Sequence, residues 1–201
     1  INTAQELERK GIETAGLLEY LSAQVKQAKG NPRDGIIAEL IRESEADSES
    51  LSHQEIVSIL VQLLTAGNET TTSLVGSALM LMLQTPGMQQ QLREHPERID
   101  AFIEEVLRLE TPLLGHFRLV KRDTQVGGRN LPAGSRVMLL WASANRDEEA
   151  FTSPDTIDLG RPRQHLHTAF GHGLHLCIGA ALARMEARIA LETLLARTRR
   201  I

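Results

Sequence analysis

Phe170-Gly171-His172-Gly173-Leu174-His175-Leu176-Cys177-Ile178-Gly179 is the stretch on which the reading of this chain turns. Glycines at 171 and 173 permit a tight turn ahead of the cysteine, and Gly179, just beyond it, lets a flat ligand approach closely. A helical pattern follows over residues 178–197. Cys177 is therefore expected at a helix N-terminus, where free N–H groups and the helix dipole favour a thiolate. The same N–H groups can hydrogen-bond the sulfur and tune a bound metal. The plain alternative for a lone cysteine is a buried structural thiol; the glycine framing and the helix start favour a ligand.

The rest of the composition is compatible with that reading. The chain has 201 residues, 41% of them hydrophobic and 24% charged, an ordinary globular balance. Aromatic residues make up only 3%, so the core is expected to be aliphatic. A net charge of -4 argues against nucleic acid or an acidic membrane surface as partner. A single cysteine excludes an internal disulfide framework, fits a reducing, cytoplasmic compartment, and still permits one metal-bound thiolate. The chain opens at Ile1 within a helical pattern and closes within another, with no signal peptide or anchor visible. The expectation is an internal portion of a longer protein.

Upstream of the cysteine, residues 3–28 have leucines and alanines at helical spacing, stopped by Gly30-Asn31-Pro32. A second helix is expected over 35–42 and a solvated acidic loop over 43–49. Ser52 and Glu55 have the spacing of a capping box. From there one helix of more than thirty residues is predicted, ending at Thr85-Pro86. Between Ile56 and Leu92 its only charged side chain is Glu69. A helix apolar on nearly every face belongs in the middle of a domain. Gln62, Asn68 and the polar run at 70–73 interrupt it too often for a membrane span. A further helix is expected over 96–110 and strands over 117–121, 124–127 and 135–140. Gly127-Gly128 and Pro132-Ala133-Gly134 are the turns between those strands, and an irregular stretch follows over 145–168.

Two other constellations lie in these helices. Ala66-Gly67-Asn68-Glu69-Thr70-Thr71 places a glycine, a carboxylate and threonines inside the long apolar helix. Gly67 weakens the helix there, and a threonine hydroxyl bonding back one turn predicts a local bend. A carboxylate in such a setting must be partnered or solvated. The other reading of this segment is a polar pair that fixes helix register. Glu105-Val106-Leu107-Arg108 puts an acid and a base on one helix face; alone, such a pair is ordinary surface chemistry. His165, His167, His172 and His175 crowd the cysteine, so a zinc site is a rival reading.

Taken together, the three motifs resemble the cytochrome P-450 family. The cysteine loop matches its haem signature FxxGxxxCxG at Phe170, Gly173, Cys177 and Gly179. Ala66, Gly67, Glu69 and Thr70 match its Ala-Gly-x-(Asp/Glu)-Thr motif, and Glu105 with Arg108 match its ExxR pair, in the family's order. The resemblance implies that Cys177 ligates the iron of haem b, that Phe170 shields the sulfur, and that His175 and Arg118 contact the propionates. It implies that Thr70 organises dioxygen and its water, that Glu69 serves proton delivery, and that Glu105 and Arg108 brace the core. It also implies that Leu63, Ala66, Leu113, Leu114 and His116 approach a mostly apolar substrate. One segment departs: where the family has Pro-(Glu/Asp)-Arg-Phe, this chain has Pro154-Asp155-Thr156-Ile157. Arg161 and Arg163 are then the alternatives for the missing arginine.

The expected fold is mainly α with a small antiparallel β-sheet, the C-terminal part of the cytochrome P-450 fold. Within it, residues 1–111 are helical, 112–140 strand-rich, 141–177 irregular with the haem-ligand loop, and 178–197 the last helix. The N-terminal half of the domain and the extreme C-terminus are expected to lie outside the chain. The implied activity is monooxygenation of an organic substrate with O2 and electrons from a ferredoxin-type donor, as in the soluble bacterial branch. The competing reading is a haem-binding protein without catalysis, or a portion inactive by itself.

Overall fold

The computed structural model describes the backbone of residues 4–31, 34–46 and 50–201, and side chains from residue 13 onward. The described helices are α1 (Ala4–Gly30), α2 (Ile36–Ala46), α3 (His53–Gln84), α4 (Met88–Glu94), α5 (Ile99–Leu109), α6 (Trp141–Ala144) and α7 (Ala180–Arg197). The strands are β1 (His116–Leu119), β2 (Thr124–Val126), β3 (Arg129–Leu131) and β4 (Arg136–Leu139). The chain divides into two compact units, Ile1–Asn68 and Glu69–Ile201.

In the first unit Leu21 and Val25, one turn apart on α1, bury against Ile41 of α2 and Ile56, Val57 and Leu60 of α3. Ser22 Oγ and His53 Nε2 lie 2.8 Å apart, tying α1 to the first residue of α3. The capping box forms as expected: Ser52 N–H donates to Glu55 Oε2 at 2.7 Å, and Glu55 N–H to Ser52 Oγ at 3.2 Å. The acidic loop does not begin where expected. Ala38, Ile41 and Ser44 continue one buried face past Arg42, so α2 runs to Ala46. Ser44 Oγ donates to Leu51 O at 3.2 Å. Residues 47–49 of the expected loop lie outside the described residues.

The long helix is present as one uninterrupted element of 32 residues. It is not buried on every face. Leu63, Leu64, Met80 and Leu83 are exposed, while the buried α3 residues are Ile56, Val57 and Leu60 in the first unit and Leu74, Ala78 and Met82 in the second.

That second stripe packs against Met88 and Leu92 of α4, Phe102, Ile103, Val106 and Leu107 of α5, and Ala187, Leu191 and Leu195 of α7. Truncating one of these fully buried leucines typically costs about 2–5 kcal/mol. α4, which the sequence reading does not separate, is held at the end of α7 by Arg93. Its guanidinium donates to Leu195 O and, at 3.1 Å, to Thr198 Oγ1.

Four strands form where three are expected, in two antiparallel pairs. β1 pairs with β4, placing Arg118 opposite Val137, and β2 pairs with β3. The additional strand β3 arises from Gly127 and Gly128. Their φ values of 55° and 75° make a two-residue hairpin turn, returning the chain at once onto β2. Gly115 lets β1 enter its pairing: a Cβ there would lie 2.4 Å from Leu139 O. No described helix is long and apolar enough to cross a membrane.

Candidate functional site

α5 carries the site's foundation. Glu105 and Arg108 are both completely buried and pair through two bonds of 2.9 Å, Nε to Oε1 and Nη2 to Oε2. Burial is the strongest single influence on Glu105 and pushes its carboxyl up. The bonds from Arg108, from the Asp158 N–H and from Arg161 outweigh it together and hold the carboxyl below its ordinary range. Arg161, not Arg163, fills the place left by Thr156: its Nε donates to Glu105 Oε1 at 2.9 Å. Arg163 is exposed.

With Arg161 as the donor to Glu105, the turn around Thr156 contributes backbone carbonyls that accept from both arginines. Thr156 O accepts from Arg108 Nη2 at 2.9 Å and from Arg161 Nη2 at 3.1 Å. Pro154 O and Asn145 O take the remaining Arg108 donors, so all of its N–H groups are used. Glu105 Oε2 also accepts from Asp158 N at 2.9 Å. Phe151 lies under Arg108, 5.3 Å from ring centroid to guanidinium carbon.

Asn145 relays this foundation to the cysteine loop. Fully buried, it donates to Thr111 Oγ1 at 2.8 Å and accepts from Thr168 N and Oγ1 at 2.6 and 2.9 Å. From Thr168 the chain turns: Gly171 N–H bonds Thr168 O at 2.8 Å, and Cys177 N–H returns to Phe170 O at 2.9 Å. The loop between is a short 3-10 turn, Gly173–His175, with Gly171 and Gly173 at φ 71° and 77°. Both glycines are therefore conformational requirements, as expected.

Cys177 does not sit in the first turn of the last helix. Its carbonyl accepts from Ala180 N at 3.3 Å, and α7 begins only there, with Gly179 as its N-cap. The thiol is free and exposed. Ile178, 93% exposed, and the fully exposed Leu174 leave apolar side chains in the open beside it. Gly179 has an ordinary φ of -82°, and a Cβ there would meet only the Cys177 Sγ, at 3.8 Å. Neither backbone nor packing within the chain requires a glycine at this position. An open sulfur, a missing Cβ beside it and exposed apolar neighbours fit a flat, largely apolar, metal-bearing ligand.

A second ionic cluster, absent from the sequence reading, flanks the loop. Glu104 accepts from Arg184 Nε and Nη2 at 2.6 and 2.9 Å, and His167 Nε2 lies 3.1 Å from its Oε2. Ala169 N–H points at His167 Nδ1 (3.2 Å), which leaves Nε2 as the donor to Glu104. Burial, the largest influence, pushes the Glu104 carboxyl up. The hydrogen bonds from Arg184 and His167, with the Arg184 charge, overcome it and lower the carboxyl to about 2. Arg184 is in turn held above its ordinary value, chiefly by the Glu104 bond. Glu104 gives no pattern of its own beside Glu105; only His167 and Arg184, flanking the cysteine loop in sequence, carried a signal.

The remaining expected residues are placed as follows. Glu69 and Thr70 lie on α3 within the second unit, Glu69 exposed to solvent. Leu63, Ala66 and Gly67 lie on α3 in the first unit, and nothing in the chain occupies the space a Gly67 Cβ would take. Thr65 bonds back along α3, its Oγ1 donating to Val61 O at 2.9 Å, and α3 continues through it. Leu113 and Leu114 are exposed before β1. His116 Nδ1 accepts from Trp141 Nε1 at 2.7 Å, and Arg118 reaches Phe117 O at 3.0 Å. Among the described residues no three His, Cys, Asp or Glu side chains converge as a metal-ion site.

These features agree with comparisons to known proteins. The family model described as Cytochrome P450 matches residues 13–99 and 97–199. Cytochrome P450 144 of Mycobacterium tuberculosis is 42% identical over 194 residues, 96% of this chain and 44% of that protein. Putative cytochrome P450 YjiB of Bacillus subtilis is 42% identical over 179 residues, 89% of this chain and 45% of that protein. Among solved structures, CYP109E1 from Bacillus megaterium in complex with corticosterone superposes with a TM-score of 0.90 at 35% identity, covering 98% of this chain and 53% of that one. The chain thus spans about half the length of the relatives it matches. On the strength of the matched family model, the chain belongs to the cytochrome P450 family.

Proposed function

We propose that this chain forms the haem-holding portion of a monooxygenase that inserts one oxygen atom of O2 into a mostly apolar organic substrate. The family's cofactor is haem b. When bound, it supplies dioxygen activation, which thiolate ligation favours. The observation that carries the reading is the exposed Cys177 thiol beside a Gly179 whose missing Cβ the chain itself does not require.

In this reading Cys177 donates the thiolate. Phe170 shields it, and Gly173 and Gly179 allow the close approach. His175 and Arg118 bind the propionates, a task for which both are exposed. Ala66 and Gly67 give the ligand room along α3. Thr70 orients oxygen and water, and Glu69, open to solvent, passes protons inward. Leu63, Leu113, Leu114 and His116 line the substrate side. The corticosterone bound by CYP109E1 and the hexadecenoic chain carried to P450BioI by acyl carrier protein support an apolar substrate class. Electrons come from a ferredoxin-type donor, in the cytoplasm.

The test is the reduced carbon monoxide difference spectrum. The haem-loaded protein gives the thiolate band, and Cys177→Ser abolishes it; an unchanged band in that variant overturns the ligand assignment. A second reading, haem binding without turnover by this chain alone, draws on the exposure of Leu63 and Leu64 along α3. The thiolate band without oxidation of any substrate would favour it.

A further inference from the structure

The Glu105 lattice anchors a backbone turn. Its neighbour Glu104 does something different: both of its partners, His167 and Arg184, touch the same aromatic ring. The Arg184 guanidinium carbon stands 4.5 Å from the Phe170 centroid, and the His167 ring lies 5.9 Å away, tilted by 43°. Phe170 in turn accepts the Cys177 N–H on its carbonyl at 2.9 Å. A continuous set of contacts runs from one carboxylate through two cationic or polar groups and a ring to the cysteine.

We infer that Glu104 is a positioning residue for the thiolate loop, fixing Arg184 and His167 against Phe170 and thereby the placement and charge environment of Cys177. This rests on the reading of Cys177 as the haem ligand. Glu104 is well placed for the role. Its side chain is only 14% exposed, and its two oxygens are shared between a forked arginine and a histidine whose tautomer Ala169 fixes. The arginine lies over a ring face, where a cation is attracted by the ring's quadrupole. Glu104 balances that charge. Removing the Glu104 charge therefore leaves the Arg184 cation unbalanced over the ring of Phe170, the residue whose carbonyl holds the Cys177 N–H.

A plain helix-to-helix ion pair between α5 and α7 would affect stability alone. A positioning residue also changes the properties of the bound iron. The experiment uses haem-loaded protein carrying Glu104→Gln, with circular dichroism to verify folding. The expected results are a reduction potential shifted positive and a larger fraction of the reduced carbon monoxide complex at the thiol-ligated rather than the thiolate band. Adding Arg184→Gln to Glu104→Gln removes both charges and brings the potential back toward wild type. Should Glu104→Gln not fold, Arg184→Lys, which keeps the charge but loses the fork and the flat stacking, must raise the thiol-ligated fraction. A folded Glu104→Gln with wild-type potential and band overturns the inference, and so does an Arg184→Lys indistinguishable from wild type. Cys177→Ser, run alongside, separates the two levels. Loss of its thiolate band keeps the ligand reading whatever Glu104 does, and a retained band overturns both.

Discussion

Arg161 Nε and Glu105 Oε1 meet at 2.9 Å across 56 residues of sequence, inside a site where the carboxylate is completely buried. The bond turns an ordinary i, i+3 pair on α5 into a three-member lattice with Arg108. A buried carboxylate is tolerable only when its lone pairs are filled. Here two guanidinium groups and the Asp158 N–H fill them.

Breaking that lattice from either side leaves a buried charge without its partner. Glu105→Ala is expected to destabilise the chain by about 3–5 kcal/mol in urea unfolding. Arg161→Lys loses the donors that reach Thr152 O and Thr156 O and is expected to destabilise as well, by a smaller amount. A Glu105→Ala chain as stable as wild type would contradict the role given to this site.

Acid sensitivity has a defined window. Glu104 has a folded-state value of about 2 against an ordinary 4.5, so its stabilising contribution is complete above 4.5 and is lost as pH falls toward about 2. Glu105, also lowered, acts in the same direction. Stability followed by denaturant titration should fall with decreasing pH through this range. Glu104→Gln should be less stable at neutral pH and show a shallower acid limb, with the residual slope due to Glu105. An acid limb as steep as wild type would remove Glu104 from the account.

Gly179 separates ligand fit from folding. Its φ of -82° suits any residue, and its Cβ would make only an ordinary contact with Sγ. Gly179→Val is expected to cost the chain no more than about 1 kcal/mol, a helix-cap effect. It should nevertheless reduce haem uptake sharply in an absorbance titration. Unimpaired uptake would mean that the space beside the sulfur serves something else.

Thr70 is tested through coupling. Under the proposed role, a turnover assay of the full-length protein with substrate and electron donor should find Thr70→Ala consuming reducing equivalents while forming less product and more peroxide, because that role has the hydroxyl position the oxygen. Product formation matched to electron use, as in wild type, would take Thr70 out of the oxygen step.

The sequence by itself determined whatever depends on neighbours along the chain. The Ser52–Glu55 capping box, the 32-residue helix α3 and the glycine-shaped turn before Cys177 are all fixed by local spacing and backbone preference. So was the family, because its three motifs are short runs whose residue types and order survive without coordinates.

Tertiary structure alone decided what depends on groups far apart in sequence. It chose Arg161 over Arg163 as the third member of the Glu105 lattice, brought carbonyls of the 152–156 turn to accept from both arginines, and gathered Glu104, His167 and Arg184 around Phe170. It also showed that an apolar sequence does not bury every face of α3: Leu63 and Leu83 are exposed among the described residues. Backbone preference acts over a few residues, whereas the filling of a buried carboxylate's lone pairs depends on which donors the fold delivers to one point in space.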